Sequence, residues 1–363
     1  MTLRLAAIVE QLWHTVPGGT ARATREILSG LSQDEELEIH GLAGWHGRNH
    51  RSHEIQGITT HYVEAHRRVL YEAWLRFGFP SVERETGSVD VVWAASMIVP
   101  PTKAPVVATV HDLGFLDSPQ HLSRRGKSFF PRAWAGVKAQ ATTIVCPSSV
   151  VADDCVRHGI DAERIRVIPW GVSDPICASD EQADRIRRRL ELPERFVLWV
   201  GTLEPRKNLT GLVEAMRNLD DDVCLVAVGP KGWELSVNEI FAPLEGRIYR
   251  LGWVDDETLS GLYRAATVFV FPSHLEGFGL PVLEAMAHGT PVVTSRGTAT
   301  EEAAGGAALL VDPSDPSSLT QVVKQVLYDT GLQTTLRESG LLQAQKRSWS
   351  ASVESYRQVF QEA

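Results

Sequence analysis

Ten short, nearly uninterrupted apolar runs recur along this chain, each separated from the next by a longer stretch. The first five are LRLAAIV (3–9), VDVVWAA (89–95), PVVATV (105–110), TTIVC (142–146) and RIRVI (164–168). The second five are FVLWVG (196–201), VCLVAVG (223–229), VFVFP (268–272), PVVT (291–294) and AALLV (307–311). Strands that are apolar throughout, rather than alternating, are buried on both faces. They belong to parallel sheets covered by helices on each side. Helical spacing between them, as at 20–31, 127–141, 208–217, 281–288 and 316–328, completes the alternation of an α/β fold.

The runs fall into two groups, and the 363-residue length is enough for about two domains. Pro169 and Pro175 flank a turn-rich stretch, and the charged segment DEQADRIRRRLELPE follows it. We therefore expect two doubly wound, Rossmann-like domains, 1–172 and 173–345, with parallel sheets facing across a cleft. A terminal helix over 346–363 could close the second domain or cross back to the first; its apolar residues include Trp349, Tyr356, Val359 and Phe360. In such sheets ligands bind outside the carboxyl ends of the strands.

Composition narrows the function classes. Hydrophobic residues make up 43% and charged residues 22%, the balance of a soluble globular protein. No apolar run approaches the ~20 residues needed to cross a bilayer. The first residues read as a strand and not as a signal peptide. The formal charge of −9 argues against non-specific nucleic-acid binding. Residues 1–170 carry 18 basic and 18 acidic side chains, so the whole −9 lies beyond them. Any phosphate ligand must then be held by a local site. Cys146, Cys155, Cys177 and Cys224 form no CxxC pattern and read as free thiols.

Four strings carry candidate chemistry. In FVFPSHLEGFGLPVLEAMAHGTPVVTS a strand ends at Pro272, a loop follows, and a helix starts with Pro281 at its expected first position. Glu276 lies in the loop and Glu284 in the helix. Gly277 and Gly279 allow close approach to the backbone, and the free N–H groups at a helix start attract anions. In VGTLEPRKNLTG a strand ends at Gly201, Asn208 is placed to cap a helix, and the adjacent Arg206 and Lys207 suit a diphosphate. The alternative there is a solvated basic pair bridged to Glu204. In VPGGTARATREIL, Gly18 and Gly19 precede a helix. This is neither the dinucleotide fingerprint nor a P-loop. In VATVHDLGF, His111 and Asp112 stand at the carboxyl end of a buried strand. The imidazole could bond a sugar hydroxyl or manage a proton, and Asp112 could orient it or cap a turn.

Other features read as structural. Asp220, Asp221 and Asp222 match a D-x-D pattern but fall in a helix-to-strand turn. His40, His46, His50, His53, His61 and His66 lack metal-ligand spacing and read as surface residues. The segment 65–80 mixes Arg67, Arg68 and Arg76 with Tyr71, Trp74, Phe77 and Phe79. It suits an acceptor or a membrane surface, but a helix packing its apolar face inward is favoured. Arg124, Arg125 and Lys127 carry the same ambiguity.

Together these strings resemble the retaining nucleotide-sugar glycosyltransferases of glycosyltransferase family 4, of GT-B architecture. The likeness runs through VHD, CPSSVVADDCVRHGIDAERIRVIPWGV, VGTLEPRKN and HLEGFGLPVLEAMAHGTPVV to EEAAGGAALLVDPSDP. The T-x-E-P-R-K-N string is similar to a branch rich in mannosyltransferases. The resemblance implies that Glu276 contacts the donor sugar and Glu284 the nucleotide ribose. It implies that Arg206 and Lys207 bind the diphosphate, that His111 is the active-site histidine, and that Gly18 and Gly19 lie near the donor phosphates. Gly201 and the backbone N–H groups of Phe278, Gly279 and Leu280 complete the donor site. Glu302 matches a recurring Glu of less defined role. Thr202, where many members have Arg, and Trp170, where Asn is frequent, depart from the pattern.

The implied activity is transfer of a hexose, with GDP-mannose the first expectation and a UDP- or ADP-sugar second. The acceptor would be a saccharide or lipid-linked hydroxyl bound by the first domain. Domain closure would exclude water. No cofactor and no metal ion are expected, and a cytoplasmic location is implied, with peripheral contact at the inner membrane face left open. Rival readings are a sugar-nucleotide epimerase, which needs no acceptor, a dinucleotide-dependent oxidoreductase, disfavoured by the missing fingerprint, and a non-catalytic nucleotide-sugar binding protein.

Overall fold

The computed structural model describes residues 2–14, 18–47, 53–117, 124–177, 179–231 and 237–363. The chain divides into two compact units. The first holds Met1–Gly171 together with Trp349–Ala363, and the second holds Val172–Ser348.

The first unit is built on a seven-stranded sheet of β1 (Leu3–Ile8), β2 (Leu37–Gly44), β3 (Thr59–Val63), β4 (Val91–Ala94), β5 (Val106–Thr109), β6 (Thr143–Cys146) and β7 (Ile165–Val167). Their order is β3-β2-β1-β4-β5-β6-β7, and every pairing is parallel. The pleat explains the apolar runs. Leu5 and Ala7 face one core and Ala6 and Ile8 the other, so consecutive residues are all buried. The terminal helix Trp349–Glu362 closes the first of these cores. Its Tyr356 and Phe360 rings lie 5.2 and 5.7 Å from Trp93. Tyr356 Oη and Thr109 Oγ1 are 3.1 Å apart, and Trp93 Nε1 donates to the same hydroxyl at 3.0 Å. A Cβ on Gly30 would lie 2.5 Å from Val353, so glycine sets the approach of this helix.

The second unit holds a six-stranded sheet of β8 (Phe196–Val200), β9 (Cys224–Val228), β10 (Ile248–Gly252), β11 (Val268–Phe271), β12 (Val292–Ser295) and β13 (Leu309–Val311). The order is β10-β9-β8-β11-β12-β13, again parallel throughout. All ten apolar runs are strands. The pattern missed β2, β3 and β10. Strands β3 and β10 sit at sheet edges, which permits their mixed sequences TTHYV and IYRLG; the other two edge strands, β7 and β13, are apolar runs all the same. Strand β2 is interrupted by His40 and two glycines.

The strand order reverses between β1 and β4 in the first unit and between β8 and β11 in the second. At such a switch point the connecting segments leave the sheet in opposite directions and open a crevice at the carboxyl ends. No helix among the described residues is long and apolar enough to cross a membrane.

Candidate active site

In the second unit the two loops at the switch point carry the strongest motif residues. After β8 the chain passes Gly201 and makes a 3-10 turn over Pro205–Lys207. Asn208 then adopts the left-handed region and caps the helix Leu209–Arg217, accepting from the Gly211 N–H at 3.2 Å. Its Nδ2 donates to the Pro313 carbonyl at 2.6 Å, which anchors the turn. After β11 the loop 272–279 leads into the helix Leu280–Ala287. Pro281 is the second residue of this helix and not the first; Leu280 precedes it and Gly279 is the cap.

The side chains of the two loops meet. Lys207 Nζ donates to Glu276 Oε1 at 2.7 Å, and Arg206 Nη1 donates to Glu276 Oε2 at 3.0 Å. Arg206 Nη1 also reaches the Leu275 carbonyl, and its Nε donates to Glu204 Oε2 at 2.9 Å. The His274 N–H bonds the Arg206 carbonyl, so the loops are tied by backbone as well. Lys207 and Glu276 are about nine-tenths buried, while Arg206 remains 35% exposed. The Lys207 ammonium also lies 4.7 Å from the Phe271 ring centroid. The basic pair is therefore not a solvated pair. The bridge to Glu204 exists, and Glu276 holds both cations besides.

Electrostatics follow from this packing. Burial pushes the Glu276 carboxyl up, but Lys207 and Arg206 outweigh it and hold the group at about 2. Burial lowers Lys207; Glu276 opposes that shift and Arg206 adds to it. Two cations and two carboxylates make the quartet neutral. Glu276 is thus an ionised carboxylate whose two oxygens each accept from one cation.

Glycines make room for the arrangement. A Cβ on Gly201 would lie 2.8 Å from the Lys207 stem. Gly229, after β9, has φ +134, and a Cβ there would lie 2.1 Å from the Gly201 carbonyl oxygen. Gly279 has φ +107, and a Cβ would meet Thr300 at 3.0 Å. Phe278 and Leu280 flank it, both buried. Ser273 Oγ, at the start of the same loop, is buried without a hydrogen-bond partner.

Glu284 lies on the same helix, buried, and accepts from Tyr263 Oη at 2.9 Å. Behind it His288 Nδ1 donates to the Glu284 carbonyl at 2.7 Å, and His288 Nε2 accepts from Ser260 Oγ at 2.6 Å. Neither Tyr263 nor His288 carried a signal in the sequence beyond helical spacing; Gly229 carried none. Glu302 is half-buried on the helix Ala299–Ala304.

In the first unit His111 follows β5. Its Nε2 donates to the Ala95 carbonyl at 2.9 Å, which fixes the tautomer, and its Nδ1 is buried without a partner. Burial lowers its pKa; the bond to Ala95 and the nearby Asp112 oppose this. Asp112 accepts from the Gly114 N–H at 3.1 Å, which makes it a turn cap. Gly18 and Gly19 are the first two residues of the helix Gly18–Leu31, and a Cβ on Gly19 would meet Trp170, whose ring lies 5.5 Å from His111. The structure thus brings Gly201, Arg206, Lys207, Glu276, Phe278, Gly279, Leu280 and Glu284 into the second unit and His111, Gly18 and Gly19 into the first.

Two readings of the histidines change. His40 is buried and not on the surface. Its Nδ1 lies 3.1 Å from His61 Nε2 and its Nε2 3.0 Å from Glu38, because β1, β2 and β3 align these side chains. His46 pairs with the fully buried Glu10 and stacks on Trp13. His50 lies outside the described residues. Asp220, Asp221 and Asp222 are exposed, and among the described residues no acidic, histidine or cysteine cluster could hold a metal ion. All four cysteines are buried and free.

His14, beyond Trp13, is lowered to about 4, first by burial and then by Arg67 and His46. A histidine depressed in the folded state contributes stability that is complete above about pH 6.5 and is lost as pH falls through 4. Thermal unfolding should show a loss on the order of 2–3 kcal/mol across that window. His14→Gln should flatten it, and an unchanged acid limb in the variant would contradict the assignment.

Comparison with known proteins agrees with this geometry. A model described as Glycosyltransferase Family 4 matches residues 17–174, and one described as Glycosyl transferases group 1 matches residues 194–329. The chain belongs to the family 4 glycosyltransferases. The chain is 33% identical over 256 residues to O-antigen chain mannosyltransferase B of Escherichia coli, covering 67% of this chain and 66% of that one. It also matches a serotype-specific mannosyltransferase of the same organism at 30% identity, but over only 28% of that longer protein. A D-inositol 3-phosphate glycosyltransferase of Salinispora arenicola is 29% identical over 92% of this chain and 81% of its own. Among solved structures, sucrose-phosphate synthase from Thermosynechococcus elongatus superposes with a TM-score of 0.81 at 22% identity, over 99% of this chain and 100% of that one. That likeness places the chain among proteins of the GT-B fold.

Proposed function

We propose that this protein is a retaining hexosyltransferase that moves a sugar from a nucleotide diphosphate donor to a saccharide or lipid-linked hydroxyl. The observation that carries the reading is the Arg206–Glu276–Lys207 group at the β8–β11 switch point, beside the start of the helix Leu280–Ala287. As the bond between the sugar's anomeric carbon and the phosphate oxygen breaks, negative charge grows on the diphosphate. In this reading Arg206, Lys207 and the helix start stabilise that charge. A carboxylate held at about 2 is no proton donor near neutral pH. With each oxygen bound by a cation, Glu276 is also a weak nucleophile. Both points favour a front-face reaction. The acceptor oxygen bonds to the anomeric carbon from the side the diphosphate leaves, and the acceptor proton passes to the departing phosphate oxygen.

In this reading Glu276 also orients the donor sugar, Glu284 binds the ribose, and Phe278, Gly279 and Leu280 present backbone to the donor. His111, Gly18 and Gly19 are assigned to the reaction by family resemblance, and no metal ion takes part. The resemblance to mannosyltransferases makes GDP-mannose the first donor, ahead of UDP- and ADP-sugars.

Thermal-shift measurement with GDP, UDP, ADP and their sugars tests the donor class. A nucleotide at about 100 times its Kd stabilises by ~2.7 kcal/mol, or about 5–10 °C for a unit of this size. We expect GDP and GDP-mannose to give the largest shift. An equal response to NAD alone, or conversion of a nucleotide sugar without any acceptor, would favour the oxidoreductase or epimerase reading.

A further inference from the structure

Glu284 is a buried carboxylate on the helix Leu280–Ala287, and burial alone does not aim it. The last torsion of a Glu side chain is broad and roughly two-fold, so the carboxylate plane turns unless a hydrogen bond holds one oxygen. Tyr263 supplies such a bond. It lies on the helix Asp256–Ala265, and its Oη donates to Glu284 Oε2 at 2.9 Å.

Tyr263 is itself fixed. Phe269, in β11, meets its ring in a T-shaped contact with centroids 5.5 Å apart, and the His288 ring stacks on it at 5.3 Å. Both nitrogens of His288 are engaged. Nδ1 faces the Glu284 carbonyl at 2.7 Å, so it carries the proton, and Nε2 is left to accept from Ser260 Oγ at 2.6 Å. Ser260 Oγ in turn accepts from the Cys177 N–H at 2.8 Å, which leaves its own proton for His288. A run of directed bonds thus holds the imidazole, the imidazole holds the phenol ring, and the phenol holds one carboxylate oxygen.

Exposure separates the two ends of this arrangement. Glu284 is 8% exposed and Tyr263 only 1%. Tyr263 is sealed from ligands, so anything it does for binding passes through Glu284.

We propose that Tyr263 is a positioning residue. Held between Phe269 and His288, it fixes the carboxylate plane of Glu284 before a nucleotide arrives, and so strengthens the preference for a ribose that carries its hydroxyls. The proposal rests on the assignment of Glu284 to the ribose made above. Aiming the acceptor in advance removes an ordering cost worth about 3–10-fold in affinity. A tyrosine that only filled the core would use Glu284 to satisfy its own hydroxyl, and its loss would weaken all ligands alike or none.

Isothermal titration tests this. GDP and UDP, each paired with the analogue whose ribose lacks both hydroxyls, are titrated into the full chain as wild type, Tyr263→Phe and Glu284→Gln. The wild type should prefer the ribose form. Tyr263→Phe should weaken the ribose form by about 3–10-fold and leave the analogue unchanged. Unchanged analogue binding also shows that the variant is folded with its diphosphate contacts intact. Glu284→Gln should abolish the preference. If the preference survives Glu284→Gln, or the wild type binds neither nucleotide, the ribose assignment fails and the proposal fails with it. If Glu284→Gln abolishes the preference while Tyr263→Phe keeps it in full, the assignment stands and the proposal alone is overturned. Equal weakening of both ligand forms in Tyr263→Phe marks a general disturbance of the helix and overturns it as well.

Discussion

Lys207→Ala and Glu276→Ala should each reduce glycosyl transfer by about 10²–10³-fold, the scale of losing one preorganised partner of a developing charge. The two variants fail for different reasons. In the proposed reaction, loss of Lys207 removes a buried cation from the departing diphosphate. Without Glu276 both cations lose their shared anchor. Lys207 then also loses the interaction that opposes the effect of its burial, so its pKa falls further. Breaking a buried pair costs about 3–5 kcal/mol, so the melting temperature of Glu276→Ala should fall by roughly 10 °C or more. Glu276→Gln keeps the shape but not the charge, and should behave more like Ala than like the wild type.

The sign of the pH dependence is fixed by the same group. A carboxyl depressed to about 2 contributes stability that is complete above its ordinary value and is lost as pH falls through 2. Transfer measured from pH 5 to 9 should therefore show no titration of Glu276. Near-normal turnover in Lys207→Ala, assayed below its melting temperature, would falsify the assignment of the basic pair.

Gly229→Ala is the second large effect we expect, at a residue outside every motif. The new methyl group would sit 2.1 Å from the Gly201 carbonyl oxygen, at a φ of +134 that side-chain-bearing residues rarely adopt. Either the β9 end or the Gly201 backbone must move, at a cost of at least ~3 kcal/mol. Because Gly201 opens the loop that carries Arg206 and Lys207, the movement falls on the proposed donor site. Donor-induced thermal shift should disappear, whereas Gly246→Ala, also at positive φ but with open space around it, should leave it intact. A full nucleotide response in Gly229→Ala would show that the crowding at Gly201 does not govern the site.

The fold was largely legible because buried parallel strands write themselves as unbroken apolar runs. The edge strands β3 and β10, with the mixed sequences TTHYV and IYRLG, do not, although the edge strands β7 and β13 do. The helix starts at Gly18, Leu209 and Leu280 were readable to within two residues from glycine, asparagine and proline, whose backbone chemistry is local. His40 was misread because nothing local marks a histidine that a neighbouring strand will cover with His61.

The candidate site divides the same way. The strings around Arg206–Lys207 and Glu276–Glu284 are contiguous, so the sequence by itself determined which loops carry charge and which strands precede them. It also placed the net −9 away from the first 170 residues. What tertiary structure alone decided is pairing across distance. It closed Glu276 on both cations, neutralising a group that looks basic in the string. It set Tyr263 on Glu284 and drew Gly229 against Gly201. It joined two modest basic segments, 65–80 and 124–132, through the one carboxylate of Glu72. Residues about seventy positions apart acquire a common electrostatic fate only when strand order makes them neighbours. At separations of a few ångströms in a low-dielectric interior that proximity, not net charge, sets which groups stay charged.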